Sequence, residues 1–528
     1  MKKASLIHPM LFAVWPVLFL YSQNTGEFPL WVVLRPLAVL VPTALAASLL
    51  LGKTLKSPAK AAVLVSLSIM LLFAFTPLEE FFLRLNIPIP REGFFPTKKA
   101  AFGLSAAILL GVGALLWKAR GDLRRPTRII NLVAACMVAA VAVRIVVVCL
   151  GNLDKVLKLD PAVAAQTSAP ATRPASRPNI YFIILDGYPR SDVLRETFGV
   201  DNSSFLQTLT DRGFYVASSA VSNYGQTATS LSSALNMQYL DDVSRQIGTS
   251  YRRLEPLRRM IKDSEVWRFL KARGYRSVTF STGYHVTEIP DADYYWGPQG
   301  LLNEFELGLL NATSIPHVVV QLSTDRQYDL HRRRILQAME LLPRTCDLPE
   351  PVFVFAHIMC PHAPFVFGPE GQPIQPPGPY RITNFIGMAG VSHEDYIAGY
   401  RGHVAFLNAR ILPVIDEILR RSKTAPIIIV QGDHGSSSRF GFTAPKNLTA
   451  EMVHERFSIL NAYHLPDGGA EALSADITPV NSFRVVLNRY FGTNLPMLPP
   501  RSFYSFWQRP YDFQDVTAKA LAPAPAGP

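Results

Sequence analysis

The stretch SNYGQTATSLSSALNM, residues 222–237, carries a high density of hydroxyl side chains at a predicted strand-to-helix turn. Such hydroxyls either start a polar helix or include a nucleophile. A threonine hydroxyl is too weak an acid to attack unaided at neutral pH, but a divalent cation stabilises its deprotonated form. Backbone N–H groups at the first turn of a helix would also face a phosphate or sulfate. The stretch therefore predicts nucleophilic catalysis if a metal site lies beside it.

Carboxylates and imidazoles follow three separate apolar runs of the chain. NIYFIILD ends in Asp186, PIIIVQGDHG contains Asp433 and His434, and PVFVFAHIMCPHAPF contains His357 and His362. Turn formation and helix capping would explain any one of these residues, but not all of them together. At the carboxyl ends of parallel strands they would meet at one edge of a sheet. Two Asp and one His suit a divalent ion such as Zn, Mn or Mg and leave a coordination position open.

These runs belong to an alternation of short strands and helical patterns. FLQTLTDRGF has helical periodicity, VWRFLKARGY leads into the strand RSVTFST, and a long amphipathic helix beginning near YIAGYRGH leads into APIIIVQ. Strands that are apolar throughout are buried on both faces, which requires helices on both sides of the sheet. The predicted fold of this part is an α/β sandwich around a mostly parallel central sheet.

The first third of the chain has a different composition. Apolar runs cover residues 9–22, 28–51, 59–76, 100–117 and 129–150, and all but the first reach or approach the roughly 20 residues that a membrane-spanning helix needs. We predict a five-span transmembrane α-helical domain at 1–151, a linker rich in Ala, Pro, Ser and Thr at 152–178, an extracytoplasmic catalytic domain at 179–515 and a disordered tail at 516–528.

The distribution of charge predicts the orientation. Basic residues cluster before the first run, between the second and third, and between the fourth and fifth, so the positive-inside rule places these loops in the cytoplasm. Five spans that start inside end outside. Residues 1–177 hold 20 of the 52 Lys and Arg and 7 of the 40 Asp and Glu, which leaves 32 and 33 for the rest. The formal net charge of +12 therefore comes from the excess of basic residues in the first third of the chain, which the positive-inside rule explains. No nucleic-acid partner is expected.

Two arginines lie inside predicted spans, Arg35 in VVLRPLAVL and Arg144 in VAVRIVVVC. On this topology each lies about 10 Å from the outer end of its helix, at about 1.5 Å per residue. Snorkelling toward headgroups, or pairing with Glu79 or Glu80, would explain them. The alternative is that the pair holds a lipid phosphate near the catalytic domain.

Four motifs in order resemble the alkaline phosphatase and sulfatase superfamily: IILDG, GQTATS, CPHAP and QGDHG, within residues 178 to about 500. The layout of spans, linker and outer domain is similar to that of lipid A phosphoethanolamine transferases and lipoteichoic acid synthase. The resemblance implies that Asp186, Asp433 and His434 bind a metal together with a hydroxyl of GQTATS. It also implies that His362 contacts the charged oxygens of the substrate.

Two threonines of GQTATS could supply that hydroxyl. Thr227 stands three residues before Ser230, as in the sulfatase pattern, whereas Thr229 fits the placement in phosphoethanolamine transferases slightly better. We predict that Thr227 is the nucleophile and a metal ligand. Leu231 stands where formylglycine sulfatases carry an arginine, which disfavours sulfate esters. The Asp-x-x-x-His pair of two-zinc phosphodiesterases is not found, which implies one divalent metal ion.

Further side chains near these motifs are candidates for substrate contacts. Arg190 lies four residues after Asp186 in DGYPRSD, within reach of a phosphate, although a solvated turn arginine is an equal explanation. His357 could contact the substrate, support the metal site or lie buried in the core. Thr229 is a residue of the helix N-terminus if Thr227 is the nucleophile.

The predicted function is that of a membrane-bound, metal-dependent transferase, multi-pass in a bacterial-type inner membrane with a periplasmic catalytic domain. It would move a phospholipid headgroup phosphate, of the phosphoethanolamine or phosphoglycerol type, through a covalent phospho-threonine onto an envelope glycan or lipid. One alternative is a sulfatase-like hydrolase of phosphate or sulfate esters with water as acceptor. The other is a catalytically silent membrane protein that binds a partner.

Overall fold

The computed structural model describes residues 6–25, 28–84, 96–119, 123–157, 177–298, 302–315, 320–376, 380, 382, 391–439 and 448–522. The chain forms two compact units. The first, called the helical unit below, comprises residues 1–154 and 301–323. The second, called the sheet unit, comprises residues 155–300 and 324–528.

The helical unit has apolar helices where the sequence predicts spans. They are α1 at His8–Gln23, a 3₁₀ turn at Leu30–Val33 that continues into α2 at Leu34–Thr54, α3 at Pro58–Phe73, α4 at Phe75–Arg84, α5 at Pro96–Lys118 and α6 at Arg124–Leu157. Within the described residues, three stretches are long and apolar enough to cross a membrane, namely Leu30–Thr54, Ala100–Lys118 and Arg124–Leu150. The helices α1 and α3 have 16 residues each, or about 24 Å at 1.5 Å per residue. The five-span count and the orientation stay predictions.

The sheet unit is built on a seven-stranded sheet with strand order β2-β7-β6-β1-β5-β3-β4. The strands are β1 at Ile180–Leu185, β2 at Tyr215–Val216, β3 at Arg276–Phe280, β4 at Tyr294–Trp296, β5 at Val352–Ile358, β6 at Ile427–Gln431 and β7 at Asn461–His464. The strands β6, β1, β5, β3 and β4 pair in parallel. At one edge β7 pairs antiparallel with β6, and β2 pairs antiparallel with β7. A separate hairpin joins β8, Phe503–Phe506, to β9, Arg509–Asp515. Apolar helices followed by an α/β sandwich with a mostly parallel sheet confirm the predicted fold class.

The central strand β1 is apolar throughout because its side chains enter two cores. Ile180, Phe182 and Ile184 pack in the core on one face of the sheet, and the odd-numbered residues between them pack in the core on the other face. Helices therefore cover both faces, as the continuous apolar runs predict. The remaining helices are α7 at Ser191–Phe198, α8 at Ser203–Asp211, α9 at Thr227–Asn236, α10 at Asp241–Ile247, α11 at Glu255–Lys262, α12 at Glu265–Lys271, α13 at Glu304–Asn311, α14 at Val320–Leu341, α15 at His393–Arg421, α16 at Ala450–Phe457, α17 at Pro479–Phe491 and α18 at Thr517–Ala520.

One short helix from the middle of the chain belongs to the helical unit. This is α13, which begins with a capping box between Asn303 and Glu306. Phe305 and Leu309 on this helix are buried in one core with Tyr21 of α1 and with residues of α2 and α6. The segment 301–323 thus groups with the helical unit, although the predicted boundaries assign it to the catalytic domain.

The predicted disordered tail at 516–528 is wrong for its first residues. The helix α18 forms at Thr517–Ala520, with Val516 and Ala520 buried against Leu448 and Val453. Apolar packing and hydrogen bonds of Thr517 and Lys519 hold this turn, and a composition rich in Ala and Pro does not reveal these contacts. Residues 523–528 and most of the predicted linker, 158–176, lie outside the described residues.

Candidate metal centre and nucleophile

Parallel pairing brings the carboxyl ends of β5, β1 and β6 side by side. Ile184 of β1 pairs with His357 of β5 and with Gln431 of β6. Asp186 directly follows β1, and Asp433 follows β6 after Gly432. Only glycine fits at position 432, since a Cβ there would lie 2.2 Å from the carbonyl oxygen of Tyr188. The polar residues after these strands therefore meet at one edge of the sheet.

Two carboxylates and two imidazoles face one another at this edge. Asp186, His357 and Asp433 are buried, and their ligand atoms all lie within 4.8 Å of one another. His357 Nε2 is 3.5 Å from Asp186 Oδ2. His434 Nε2 is 3.4 Å from Asp433 Oδ2 and 3.7 Å from Asp186 Oδ1. This metal-ligand cluster, Asp186, His357, Asp433 and His434, contains the three strand-end ligands that the resemblance implies together with His357.

The cluster has two features of a cation site, buried carboxylates and ligand atoms that lack hydrogen-bond partners. Asp186 is 2% exposed and Asp433 is 1% exposed. Among the described residues, Asp186 Oδ1, Asp433 Oδ2 and His357 Nε2 are buried without a hydrogen-bond partner. Two buried carboxylates without compensation are unfavourable by several kcal/mol. A divalent ion would neutralise both and use the orphaned atoms as ligands, so these residues fit the predicted divalent metal.

The protonation states suit metal binding. Burial alone raises the pKa of the Asp186 carboxyl, but the neighbouring histidines, led by His362, hold that pKa below its ordinary value. Burial, followed by the charge of Arg456, lowers the pKa of His434 to about 4, so this imidazole is neutral at pH 7. The Nδ1–H of His434 donates to the carbonyl of Gly435 at 2.9 Å. The lone pair of Nε2 then faces the carboxylates.

Thr227 is the first residue of α9 and lies beside the cluster. Its Oγ1 is 3.2 Å from His434 Nε2, and the residue is 7% exposed. The first N–H groups of a helix lack intrahelical partners and carry partial positive charge. The N-cap residue Gln226 does not cap them with its side chain, because its amide donates to the carbonyl of Ser505 at 2.6 Å. The start of α9 therefore offers a hydroxyl and N–H groups to an anion.

The other hydroxyls of GQTATS are bound to backbone carbonyls. Thr229 is fully buried, and its Oγ1 donates to Gln226 O at 3.0 Å. Ser230 Oγ donates to Asp433 O at 2.6 Å, which ties α9 to the loop after β6. Thr227 is therefore the hydroxyl of this motif that contacts the metal-ligand cluster, at His434 Nε2.

His362 and Arg190 take different positions. The ring centroid of His362 is 6.3 Å from that of His434, and its Nδ1 donates to Ala363 O at 2.6 Å. Arg190 instead makes two hydrogen bonds to Asp192, at 2.9 and 2.6 Å, and one to the carbonyl of Ala220 at 3.1 Å. The structure thus brings His362 next to the metal-ligand cluster, whereas the guanidinium of Arg190 is occupied by Asp192.

Arg35 and Arg144 belong to the helical unit. Arg35 Nη2 is 2.5 Å from Glu306 Oε2 on α13. Arg144 Nη2 donates to Gln23 Oε1 at 3.0 Å. The side chains of the predicted partners at positions 79 and 80 lie outside the described residues. A lipid-phosphate contact for either arginine stays a proposal.

Sequence reasoning missed Arg456 of α16, which binds two loops of the site. Its Nε donates to Gly225 O at 2.7 Å, just before α9, and its Nη1 donates to Gly435 O at 3.1 Å and to Ser437 Oγ. The adjacent Glu455 accepts from Ser436 Oγ at 2.8 Å. No motif spacing marks Arg456, since its partners are mostly backbone carbonyls distant in the sequence.

Comparison with known proteins yields similar solved structures, while no protein-family model and no curated protein matches the chain. The zinc complex of the C-terminal periplasmic domain of EcEptC from Escherichia coli has 10% identity and a TM-score of 0.40, over 65% of this chain and 93% of that one. The periplasmic domain of phosphoethanolamine transferase EptC from Campylobacter jejuni has 14% identity and a TM-score of 0.37, over 60% and 91%. The phosphonate monoester hydrolase of Agrobacterium radiobacter has 14% identity and a TM-score of 0.40, over 62% and 80%. TM-scores below 0.5 at such identities do not establish a shared activity.

Proposed function

We propose that this protein is a membrane-bound, metal-dependent transferase that moves a phospholipid headgroup phosphate through a covalent phospho-threonine onto an envelope glycan or lipid. The observation that carries the proposal is the position of Thr227. Its Oγ1 lies at the start of a buried helix, 3.2 Å from His434 Nε2, beside two buried carboxylates with orphaned oxygens. A metal-dependent phosphoryl transfer through a covalent intermediate would use this combination of nucleophile, cation ligands and N–H donors.

Asp186, Asp433, His434 and Thr227 would hold the ion, and His357 offers a further nitrogen. One divalent ion, Zn, Mn or Mg, would make the threonine hydroxyl more acidic and offset the charge of the transferred phosphate. The carboxylates supply hard oxygen ligands and the imidazoles supply nitrogen, a mixed set that all three metals accept.

The chain's own groups carry out two displacements. Thr227 Oγ forms a bond to the phosphorus of the headgroup diester, the bond from phosphorus to the diacylglycerol oxygen breaks, and diacylglycerol takes up the proton that Thr227 has lost. An acceptor hydroxyl then attacks the phosphorus and loses its proton, and the threonine oxygen leaves and regains one. N–H groups at the start of α9 bind phosphate oxygens. His362 stabilises the negative charge or carries the proton.

The membrane-spanning helices make lipid headgroups the nearest phosphodiesters. In the part of the chain that the structure describes, three helices are long and apolar enough to span a membrane. The positive-inside rule favours a cytoplasmic side for the basic loops between the apolar runs. The proposed location is therefore a bacterial-type inner membrane, crossed several times, with the sheet unit on the extracytoplasmic side. This location supports transfer from a phospholipid over hydrolysis of a soluble ester.

Diacylglycerol formation by the purified full-length chain tests the function. The probe is a vesicle of phosphatidylethanolamine and phosphatidylglycerol, with Zn²⁺, Mn²⁺ or Mg²⁺ added after chelation. We expect release that requires one of the metals and falls at least about 10³-fold in Asp433→Asn, which keeps the shape of the side chain but removes its charge. Absence of diacylglycerol from both lipids with every metal would contradict the proposal.

A hydrolase of phosphate or sulfate esters would use the same residues with water as acceptor. The two reactions differ in what accompanies diacylglycerol. Free headgroup phosphate in equal amounts, formed without any added glycan or lipid acceptor, would identify hydrolysis. A chain that binds no divalent metal and releases nothing would instead be a silent binding protein.

A further inference from the structure

A series of hydrogen bonds leads from His357 to a carboxylate outside the metal-ligand cluster. His357 Nδ1 lies 2.8 Å from Thr287 Oγ1, which lies 3.3 Å from Thr282 Oγ1. Thr282 Oγ1 in turn lies 2.9 Å from Glu288 Oε2. Thr287 is 1% exposed and Thr282 is 3% exposed, so water does not compete for these contacts. We call Thr282, Thr287 and Glu288 the relay.

The carboxylate end sets the direction of the relay. An ionised carboxylate only accepts hydrogen bonds, and Glu288 also accepts from the backbone N–H of Thr282 at 2.8 Å and from the Tyr295 hydroxyl. The Thr282 hydroxyl donates either to Glu288 or to the carbonyl of Tyr284 at 3.2 Å. Both partners are acceptors only. The oxygen of Thr282 is therefore left to accept from Thr287.

This direction selects the tautomer of His357. The single hydroxyl hydrogen of Thr287 goes to Thr282, so the Thr287 oxygen accepts from the Nδ1–H of His357. A neutral imidazole with its hydrogen on Nδ1 has the lone pair on Nε2. His357 Nε2 makes no hydrogen bond among the described residues and lies 3.5 Å from Asp186 Oδ2. The other tautomer would direct an N–H group at the Asp186 carboxylate across 3.5 Å, a long hydrogen bond, and would leave no lone pair on Nε2 for a cation.

We propose that Thr282, Thr287 and Glu288 are positioning residues that hold His357 in the tautomer able to bind the divalent cation through Nε2. This inference rests on the proposed function, since it concerns the same metal site. Groups behind a ligand histidine fix its ring and raise its basicity, and their loss weakens metal binding by about 10- to 100-fold. His434 obtains the same tautomer from the backbone, through Gly435 O. The relay fixes the same tautomer for His357.

The test uses matched threonine variants of the full-length chain in detergent. Thr287→Val keeps the shape of the side chain and removes the hydroxyl, whereas Thr287→Ser keeps the hydroxyl. Thr279→Val is the control, because Thr279 is also 1% exposed and its Oγ1 donates to the carbonyl of Ile289 at 2.9 Å. The readouts are the Zn²⁺ dissociation constant by competition with a chromophoric chelator, the visible spectrum of bound Co²⁺, and the thermal midpoint of the metal-free protein.

We expect Thr287→Val to weaken Zn²⁺ binding by about 10- to 100-fold and to change the Co²⁺ spectrum, while Thr287→Ser and Thr279→Val stay within about threefold of the wild type. Equal affinities and spectra for Thr287→Val and Thr279→Val would overturn the positioning role. If Thr287→Val fails to fold, Glu288→Gln, whose amide can donate and reverse the relay, must show the same loss. A wild-type chain that binds neither metal would overturn the metal-dependent function itself, whereas an unaffected Thr287→Val alone would leave that function standing.

Discussion

Single residues at the start of α9 differ in what their hydroxyls can reach. Thr227 Oγ1 lies 3.2 Å from His434 Nε2, whereas Thr229 Oγ1 donates to a carbonyl of its own helix at 3.0 Å. A hydroxyl that is bound to a backbone carbonyl and fully buried cannot reach a phosphorus atom. The different hydrogen-bond partners of Thr227 and Thr229 are therefore the reason for proposing Thr227 as the nucleophile.

Exchange of each threonine for valine separates the two roles. Thr227→Val should lower diacylglycerol release at least about 10³-fold, because the nucleophile is lost. Thr229→Val should lower the free energy of unfolding by about 1 kcal/mol through one lost hydrogen bond and keep most of the activity. Initial rates and thermal midpoints of both variants check this prediction, and the reverse pattern would assign the nucleophile to Thr229.

His403 on α15 is a structural residue that responds to pH. Its Nε2 accepts from the backbone N–H groups of Val366 and Phe367, at 2.8 and 3.2 Å, and its Nδ1 lies 3.3 Å from the carbonyl of Pro361. Burial lowers the pKa of His403 to about 3. The imidazole therefore stays neutral in the folded protein and orders the loop that carries His362.

The sign of the pH effect follows from this lowered pKa. Below about pH 6.5 His403 is protonated in the unfolded chain, but in the folded chain it stays neutral down to about pH 3. As the pH decreases through this window, the free energy of unfolding therefore decreases by about 1.4 kcal/mol per pH unit. His403→Gln should lack this pH dependence. Thermal midpoints at pH 7.5 and 5.5 should therefore fall further for the wild type than for the variant, and equal decreases would contradict the neutral assignment.

The residues that could be predicted from sequence are those inside ordered motifs. Asp186, Asp433 and His434 follow apolar parallel strands, so the sheet topology brings them to one edge, whereas Thr227 opens a helix that tertiary packing places beside them. Thr287 and Arg456 could not be found this way. Each acts through a side chain or carbonyl that is distant in sequence, and such contacts exist only once the tertiary packing is known.

At the scale of elements, Arg456 on α16 joins the loop before α9 to the loop after β6. Its hydrogen bonds to Gly225 O and Gly435 O fix the distance between the proposed nucleophile and the ligands Asp433 and His434. A displacement of about 1 Å in such a pair can cost about 100-fold in rate. The geometry of the site thus depends on the relative position of the loop before α9 and the loop after β6.

Removal of the Arg456 side chain should affect catalysis more than folding. We expect Arg456→Ala to lower diacylglycerol release by about 100-fold, and millimolar guanidinium ion should restore part of the rate by refilling the space. Arg212→Ala is the control, since Arg212 pairs with Asp416 at the surface of the sheet unit. A full-rate Arg456→Ala variant would contradict this role.

Long elements were predictable and short edge elements were not. The strands β1, β5 and β6 and the helix α15 have continuous or periodic apolar patterns that burial explains. The strands β2, β4 and β7 have two to four residues; β2 and β4 form the two edges of the sheet, and β7 lies next to β2. Such short segments have no period long enough to distinguish a strand from a loop.

At the scale of the whole chain, the shift from apolar to mixed composition predicted the region of apolar helices and the α/β region. It did not predict that α13 joins the helical unit. The apolar residues of α13 have the spacing of any amphipathic helix, so its partner could not be read from sequence. Its buried Glu306 pairs with Arg35 of α2, a residue for which the sequence suggested snorkelling or pairing with Glu79 or Glu80, with a lipid-phosphate contact as the alternative.

A double-mutant cycle tests the contact between α13 and α2. Arg35→Leu and Glu306→Gln should each lower the thermal midpoint of the detergent-solubilised chain, and the double variant should lose less than the sum of the two. We expect a coupling of about 1 kcal/mol or less, because Arg35 is 58% exposed. Additive losses would mean that the ion pair contributes nothing to the docking of α13.

In the proposed reaction, Thr227 becomes covalently phosphorylated by a lipid headgroup. Intact-mass analysis of the full-length chain, quenched in acid after incubation with phosphatidylethanolamine and phosphatidylglycerol, measures this directly. We expect a headgroup-phosphate mass increment that maps to the peptide containing Thr227, requires a divalent metal and is absent from Thr227→Ala. An increment that maps to another residue, or diacylglycerol release without any increment under rapid quenching, would contradict it.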